Sequence, residues 1–147
     1  ASRLEADEHL QKALVGFRRL SEYLAGVDEE QALSKTDQAM LRNCLIFEAD
    51  VLMEMKKYQE ASSVYRAMES RYMSQPAALE AIVGRASCAR ELGDDRASEM
   101  LFRQASDMLK KIPAEWDGKF AETSRFDREG WKQLLDWMIQ DFDKQKA

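Results

Sequence analysis

Like chemistry returns along this chain at one fixed interval, and that recurrence limits the folds open to it more than any other feature. Ala49 and Ala86, Tyr65 and Phe102, and Pro76 and Pro113 are each separated by 37 residues. A unit repeated at such spacing cannot bury its apolar face alone, so it stacks on its neighbour and the two share a core. Leu41 to Pro113 therefore reads as one helical hairpin followed by a copy of itself. Helices are implied because Ala, Leu, Glu, Arg, Lys, Gln and Met dominate, with six Gly and two Pro in 147 residues. Those residue types lose least on entering a helix.

Periodicity places the elements. Leu10, Leu14, Phe17, Leu20 and Leu24 recur at three- and four-residue steps, which predicts a first helix from Arg3 to Ala25, ended by Gly26 in the left-handed conformation. Asp28-Glu29-Glu30 is expected to open a short helix over Gln31 to Leu33, where negative charge meets the positive end of the dipole. The same acidic run lacks the spaced ligands and central Gly of a calcium loop. Ser34 and Thr36 are candidate caps for a second helix, with Asp37 in capping-box spacing to Ser34. Its buried face is Leu41, Leu45, Ala49, Leu52 and Met53, ending near Met55. Lys56-Lys57-Tyr58 makes a turn, and Ala61, Tyr65, Met68 and Tyr72 mark the third helix.

Gln75-Pro76 restarts the pattern, because Pro suits the first helical position and biases the residue before it toward extended backbone. Leu79, Ile82, Ala86 and Ala89 mark the fourth helix. Leu92-Gly93-Asp94 supplies a C-terminal Gly and an N-capping Asp, and Ser98, Phe102, Ala105 and Leu109 mark the fifth helix. Beyond Pro113, Ala114 to Thr123 is expected to be irregular or briefly helical, with a turn at Asp117-Gly118. Ser124-x-x-Asp127 has capping-box spacing and should start a last helix to Lys144, whose face is Trp131, Leu134, Leu135, Met138 and Phe142. Trp137 falls opposite Trp131; we expect Phe120 or Trp116 to fold over it, and if left bare it is a contact point.

Short side chains explain how paired helices approach. Ala49 against Ala61, and Ala86 against Ser98, are expected crossing points, with Tyr65 and Phe102 filling the space beside them. This arrangement resembles the tetratricopeptide repeat family, on Ala49, Ala61, Tyr65 and Pro76 in the first unit and Ala86, Ser98, Phe102, Ala105 and Pro113 in the second. Leu92-Gly93-Asp94 matches that family's inter-helix turn, and Tyr58 matches the aromatic that follows it. Departures are Lys56 for the turn Gly, Ala for the mid-helix Gly, Met68 for a late small residue, Asp95 for the aromatic, and a period about three residues above the family's usual 34. The resemblance covers residues 41–113. It implies an all-α, right-handed superhelix of two tetratricopeptide-like hairpins, with residues 1–33 as an N-terminal capping helix and link, 34–75 and 76–113 as the repeats, and 114–147 as a C-terminal segment and capping helix, all in one domain.

Site chemistry is sparse. A net charge of −5 argues against a general attraction to nucleic-acid phosphates, and the apolar runs are shorter than the roughly 20 residues that span a bilayer. His9 is the only His, which rules out double-His zinc and paired Glu-x-x-His di-iron sites within one chain. Glu5 and His9 lie one helical turn apart near the terminus and read as solvated. Cys44 and Cys88 are the only thiols, out of register for a bridge, and a Cys-His nucleophile pair lacks a third orienting group. No glycine-rich phosphate loop or Ser elbow is present. The eight Met are explained mostly as core filling. No cofactor or metal is expected.

The resemblance implies a groove lined by the first helix of each unit: Asn43, Ile46, Asp50, Met53 and Glu54 from one, and Glu80, Val83, Ser87, Arg90 and Glu91 from the other. Four carboxylates against Arg90 and Asn43 argue against gripping a C-terminal carboxylate and suit a basic or mixed apolar protein segment. The expected function is a non-catalytic interaction or scaffold module for a protein or peptide. The alternative is a self-associating structural domain, for example a homodimer, and the third reading is an enzyme built from groove carboxylates. Cytoplasmic is the favoured compartment. The chain begins at Ala1 without a Met, so it is expected to be processed or cut from something longer.

Overall fold

A computed structural model describes residues 2–147. Among these, seven α-helices and no strand occur: α1 (Arg3–Glu30), α2 (Lys35–Glu54), α3 (Tyr58–Arg71), α4 (Pro76–Glu91), α5 (Asp95–Lys111), α6 (Phe120–Thr123) and α7 (Arg128–Lys146), with a 3-10 helix over Ala114–Lys119. The all-α expectation therefore holds. No helix among the described residues is long and apolar enough to cross a membrane. The chain divides into two compact units, Ala1–Val64 and Tyr65–Ala147.

In the first unit, α1 corrects the sequence expectation. It does not stop at Ala25 but runs through Gly26 to Glu30. A Gly costs only about 1 kcal/mol inside a helix, and continuing the helix lets Val27 join Leu24 against Leu33, Leu41 and Leu45. Asp28-Glu29-Glu30 is thus the last turn of α1 rather than the first turn of a helix over Gln31 to Leu33, and it sits at the unfavourable end of the dipole. The α2 cap is Ser34, whose hydroxyl accepts from the Asp37 backbone N–H at 3.1 Å. Ala49 and Ala61, the expected crossing residues, are both fully buried.

The 37-residue interval reappears in the backbone. At the end of α2 the Lys57 N–H donates to the Leu52 carbonyl and the Lys56 N–H to Met53; at the end of α4 Asp94 donates to Ala89 and Gly93 to Arg90. Each bond is the other shifted by 37 positions, and together they form the same Schellman closure, in which a left-handed residue lets its own amide and the next one reach back to the orphaned carbonyls. The left-handed residue is Lys56, φ 60°, in one turn and Gly93, φ 82°, in the other. The helix that follows is anchored alike, Ala61 to Lys57 and Ser98 to Asp94.

In the second unit, α4 starts as expected, with Gln75 extended and Pro76 at the first helical position. Its residues from Pro76 to Ile82 are all buried, which explains why a run of Ala and Leu with little polar relief occurs there. Gly84 is part of the same design: a Cβ at this position would overlap the ring of Tyr65 on α3. Where α4 crosses α5, the Ser98 hydroxyl donates to the Ala86 carbonyl at 2.8 Å, so the small-residue contact is also a hydrogen bond. The core joins Leu79, Ile82 and Ala86 of α4 with Phe102, Ala105 and Leu109 of α5 and Trp131, Leu135, Met138 and Phe142 of α7.

Three C-terminal expectations change. Asp127, not Ser124, caps α7, accepting from the Gly130 N–H at 2.8 Å. Ser124 instead accepts from the Trp131 indole N–H at 2.9 Å, because burying that ring requires a partner for its polar atom. Trp137 is 63% exposed, so neither expected cover lies over it. Phe120 is fully buried, beneath the Arg128 guanidinium at 4.8 Å from its centroid. Arg128 also donates to the Leu109 and Ile112 carbonyls at 2.8 and 2.9 Å, satisfying groups that the end of α5 leaves open. Asp117-Gly118 lies within the 3-10 helix rather than in a separate turn.

Candidate functional site

The ten residues expected to line a groove separate into two sets, five on α2 in the first unit and five on α4 in the second. On α2, three- and four-residue steps bring Asn43, Ile46, Asp50, Met53 and Glu54 to one side. Asn43 and Glu54 are exposed, while Ile46, Asp50 and Met53 are half-buried. Sequence reasoning missed the aromatic beside them. Phe47 is 47% exposed and its ring meets that of Phe17 on α1 at 5.4 Å between centroids. The available signal was its spacing: Phe47 lies four residues from Asn43 and seven from Glu54, on the polar side of α2.

The α4 set is largely taken up by the chain itself. Glu80 is buried, accepting from the Arg125 backbone N–H at 3.0 Å and facing the Arg125 Nε at 3.3 Å. Val83 packs against the core of the second unit. Arg90 is exposed at its edge but lies over Phe102 and Phe142, 5.8 and 5.4 Å from their centroids. Ser87 is half-buried, and Glu91 alone among the five is both exposed and outside these contacts. Helix periodicity could not reveal this, since the partner of Glu80 lies 45 residues away in the segment before α7.

On the side of α2 that meets α1 lies a buried polar cluster. Glu48 is 7% exposed; it accepts from the Ser21 hydroxyl at 3.3 Å and faces Arg18 Nε at 3.6 Å. Burial pushes its carboxyl above the usual range, and Arg18 and Ser21 only partly offset this. Arg18 also reaches Glu60 at 3.4 Å, so one guanidinium serves α2 and α3. Cys44 is buried one turn away, its thiol pushed up by burial and then by the Glu48 charge. Burial raises Cys88 to about 11. Both thiols are therefore protonated and sheltered near neutral pH, the opposite of what a nucleophile requires. His9 is exposed on α1.

No group of three or more His, Cys, Asp or Glu placed to hold a metal occurs among the described residues. The outer groove between α5 and α7 is lined by charges that satisfy each other: Arg103 binds Glu99 at 3.0 Å and Asp143 at 2.6 Å, and Lys146 binds Glu99 at 2.6 Å. Those two donors hold the Glu99 carboxyl below its ordinary value, Lys146 more than Arg103. No family model, curated protein or solved structure matches this chain.

Proposed function

We propose that the chain is a non-catalytic interaction module of tetratricopeptide-like repeats that holds a protein or peptide segment against the outer face of α2. In this reading the two hairpins form a right-handed superhelix capped by α1 and α7. The matched Schellman closures at the 37-residue interval support equivalent hairpins. The observation that carries the function is that α2 keeps Asn43 and Glu54 exposed, with Ile46, Asp50 and Met53 half-buried beside them, whereas on α4 only Glu91 is exposed outside the contacts made by Glu80, Val83 and Arg90. A face that mixes apolar and acidic side chains favours a basic or mixed apolar segment, with packing giving affinity and charge giving specificity. The test is retention of a partner by the immobilised chain. Asp50→Lys with Glu54→Lys should abolish retention while leaving the helical circular dichroism unchanged, and retention as in the wild type would refute the reading.

A second reading, self-association, rests on Trp137, which stands 63% exposed on α7. Sedimentation velocity across a wide concentration range distinguishes the two readings. Pairing that disappears in Trp137→Ser favours the second, and a monomer throughout removes it.

A further inference from the structure

We propose that the seam between α1 and α2, centred on Phe17 and Phe47, docks a basic amphipathic helix from another protein. This rests on the interaction-module reading and extends its site from one helix to two. The ring contact between Phe17 and Phe47 joins the two helices at 5.4 Å, yet Phe47 remains 47% exposed. Apolar side chains continue along both helices from that point. Leu20, one turn along α1, is 37% exposed, and Met40, two turns before Phe47 on α2, is 40% exposed. Val51, one turn after Phe47, is half-buried. Two helices joined by a row of partly exposed apolar side chains offer the groove into which a third helix lays anchors at three- and four-residue spacing.

Charge selects the occupant. Glu54, exposed on α2, shares the stripe that carries Phe47, and no Lys or Arg occurs among positions 43, 46, 47, 50, 51, 53 and 54. Arg18, the cation next to Phe17, is engaged by Glu48 and Glu60. The first unit as a whole carries twelve Asp and Glu against eight Lys and Arg, whereas the second carries fifteen against fourteen. A helix seated on this seam therefore gains by bearing Lys or Arg beside its apolar anchors, and an acidic helix is repelled.

The probe is a fluorescein-labelled Leu/Lys amphipathic helix, titrated with the full chain by fluorescence anisotropy at about 0.15 M salt, beside a Leu/Glu peptide of the same pattern. The Leu/Lys peptide should bind and the Leu/Glu peptide should not. Phe47→Ser and Leu20→Ser, both at partly exposed positions, should weaken binding about tenfold or more, while Trp137→Ser leaves it unchanged. Wild-type binding in Phe47→Ser and Leu20→Ser, equal binding of both peptides, or no binding of either overturns the proposal. Loss of binding in Asp50→Lys with Glu54→Lys but not in the Phe47 and Leu20 variants overturns the seam while keeping the α2 face. A dimer that Phe47→Ser dissociates would make a second copy the occupant and also overturn it.

Discussion

Replacing Gly84 by Ala should destabilise the protein although the same change within α1 should stabilise it. In a helix interior Ala is favoured over Gly by about 0.8–1.0 kcal/mol, through lower chain entropy in the unfolded state and better helix propensity. Gly16 and Gly26, both inside α1, have nothing within 4 Å of an added Cβ, so Gly16→Ala and Gly26→Ala should each gain close to that amount. At Gly84 the added atom would fall inside the contact radius of three carbons of the Tyr65 ring. That ring is only 6% exposed, so it cannot swing into solvent without emptying its place in the core. Overpacking of this kind costs about 1–3 kcal/mol and occasionally more, enough to cancel the propensity gain and leave a net loss of up to about 2 kcal/mol. Urea denaturation followed by circular dichroism at 222 nm and by Trp fluorescence measures all three variants. A double-mutant cycle with Tyr65→Ala isolates the cause, since Gly84→Ala should become stabilising once the ring is gone. If Gly84→Ala stabilises the otherwise unaltered chain as Gly16→Ala does, the close approach of α3 and α4 at this point is wrong.

Three further outcomes follow from the same structure. Lys56→Gly should stabilise by roughly 0.5–1 kcal/mol, because the left-handed strain of an L residue exceeds the entropy a Gly adds to the unfolded chain, and Gly93→Ala at the equivalent turn should cost a similar amount; thermal melts of the pair must show opposite signs. Glu48→Gln should stabilise at neutral pH: the folded-state carboxyl is raised above its ordinary 4.5 by burial, so its contribution is full below that value and is lost as pH rises through the raised one. The advantage of Glu48→Gln over wild type must therefore grow from pH 4.5 upward, and a constant or shrinking difference in urea midpoints would refute the assignment. Ser98→Ala should cost about 0.5–1.5 kcal/mol for the lost bond to the Ala86 carbonyl, and Ser98→Leu about 1–3 kcal/mol for forcing α4 and α5 apart, both read from urea midpoints.

Features governed by local chemistry were legible in the sequence. Ser34 and Asp94 cap as their spacing implies, Pro76 opens α4, Gly93 takes the left-handed position, and the stripe Ser98, Phe102, Ala105 and Leu109 is buried in full. Features that depend on distant partners were not. Gly26 resembled a helix end, yet Leu33, Leu41 and Leu45 draw α1 past it by packing with Val27. Ser124 resembled a cap, yet the indole of Trp131 claims its hydroxyl. Glu80 resembled a groove residue, yet Arg125 covers it. Gly84 carried a readable signal, a lone Gly within a helical pattern, but its reason lies in the Tyr65 ring on another helix. On α2 the exposure of Asn43 and Glu54 could be read from periodicity, because both fall on the polar side of that helix. The ring contact of Phe47 could not be read, because Phe17 stands beside it on another helix.

The proposed recurrence of one helical hairpin at an interval of 37 residues requires the same pair of hydrogen bonds at both inter-helix turns. Scalar couplings transmitted through hydrogen bonds, measured by long-range HNCO spectroscopy on the 13C,15N-labelled protein, test it directly. A correlation from the Lys57 amide to the Leu52 carbonyl is expected, with its counterpart from Asp94 to Ala89. Observing the second without the first, or finding Lys57 bonded four residues back in a continuing helix, would contradict it.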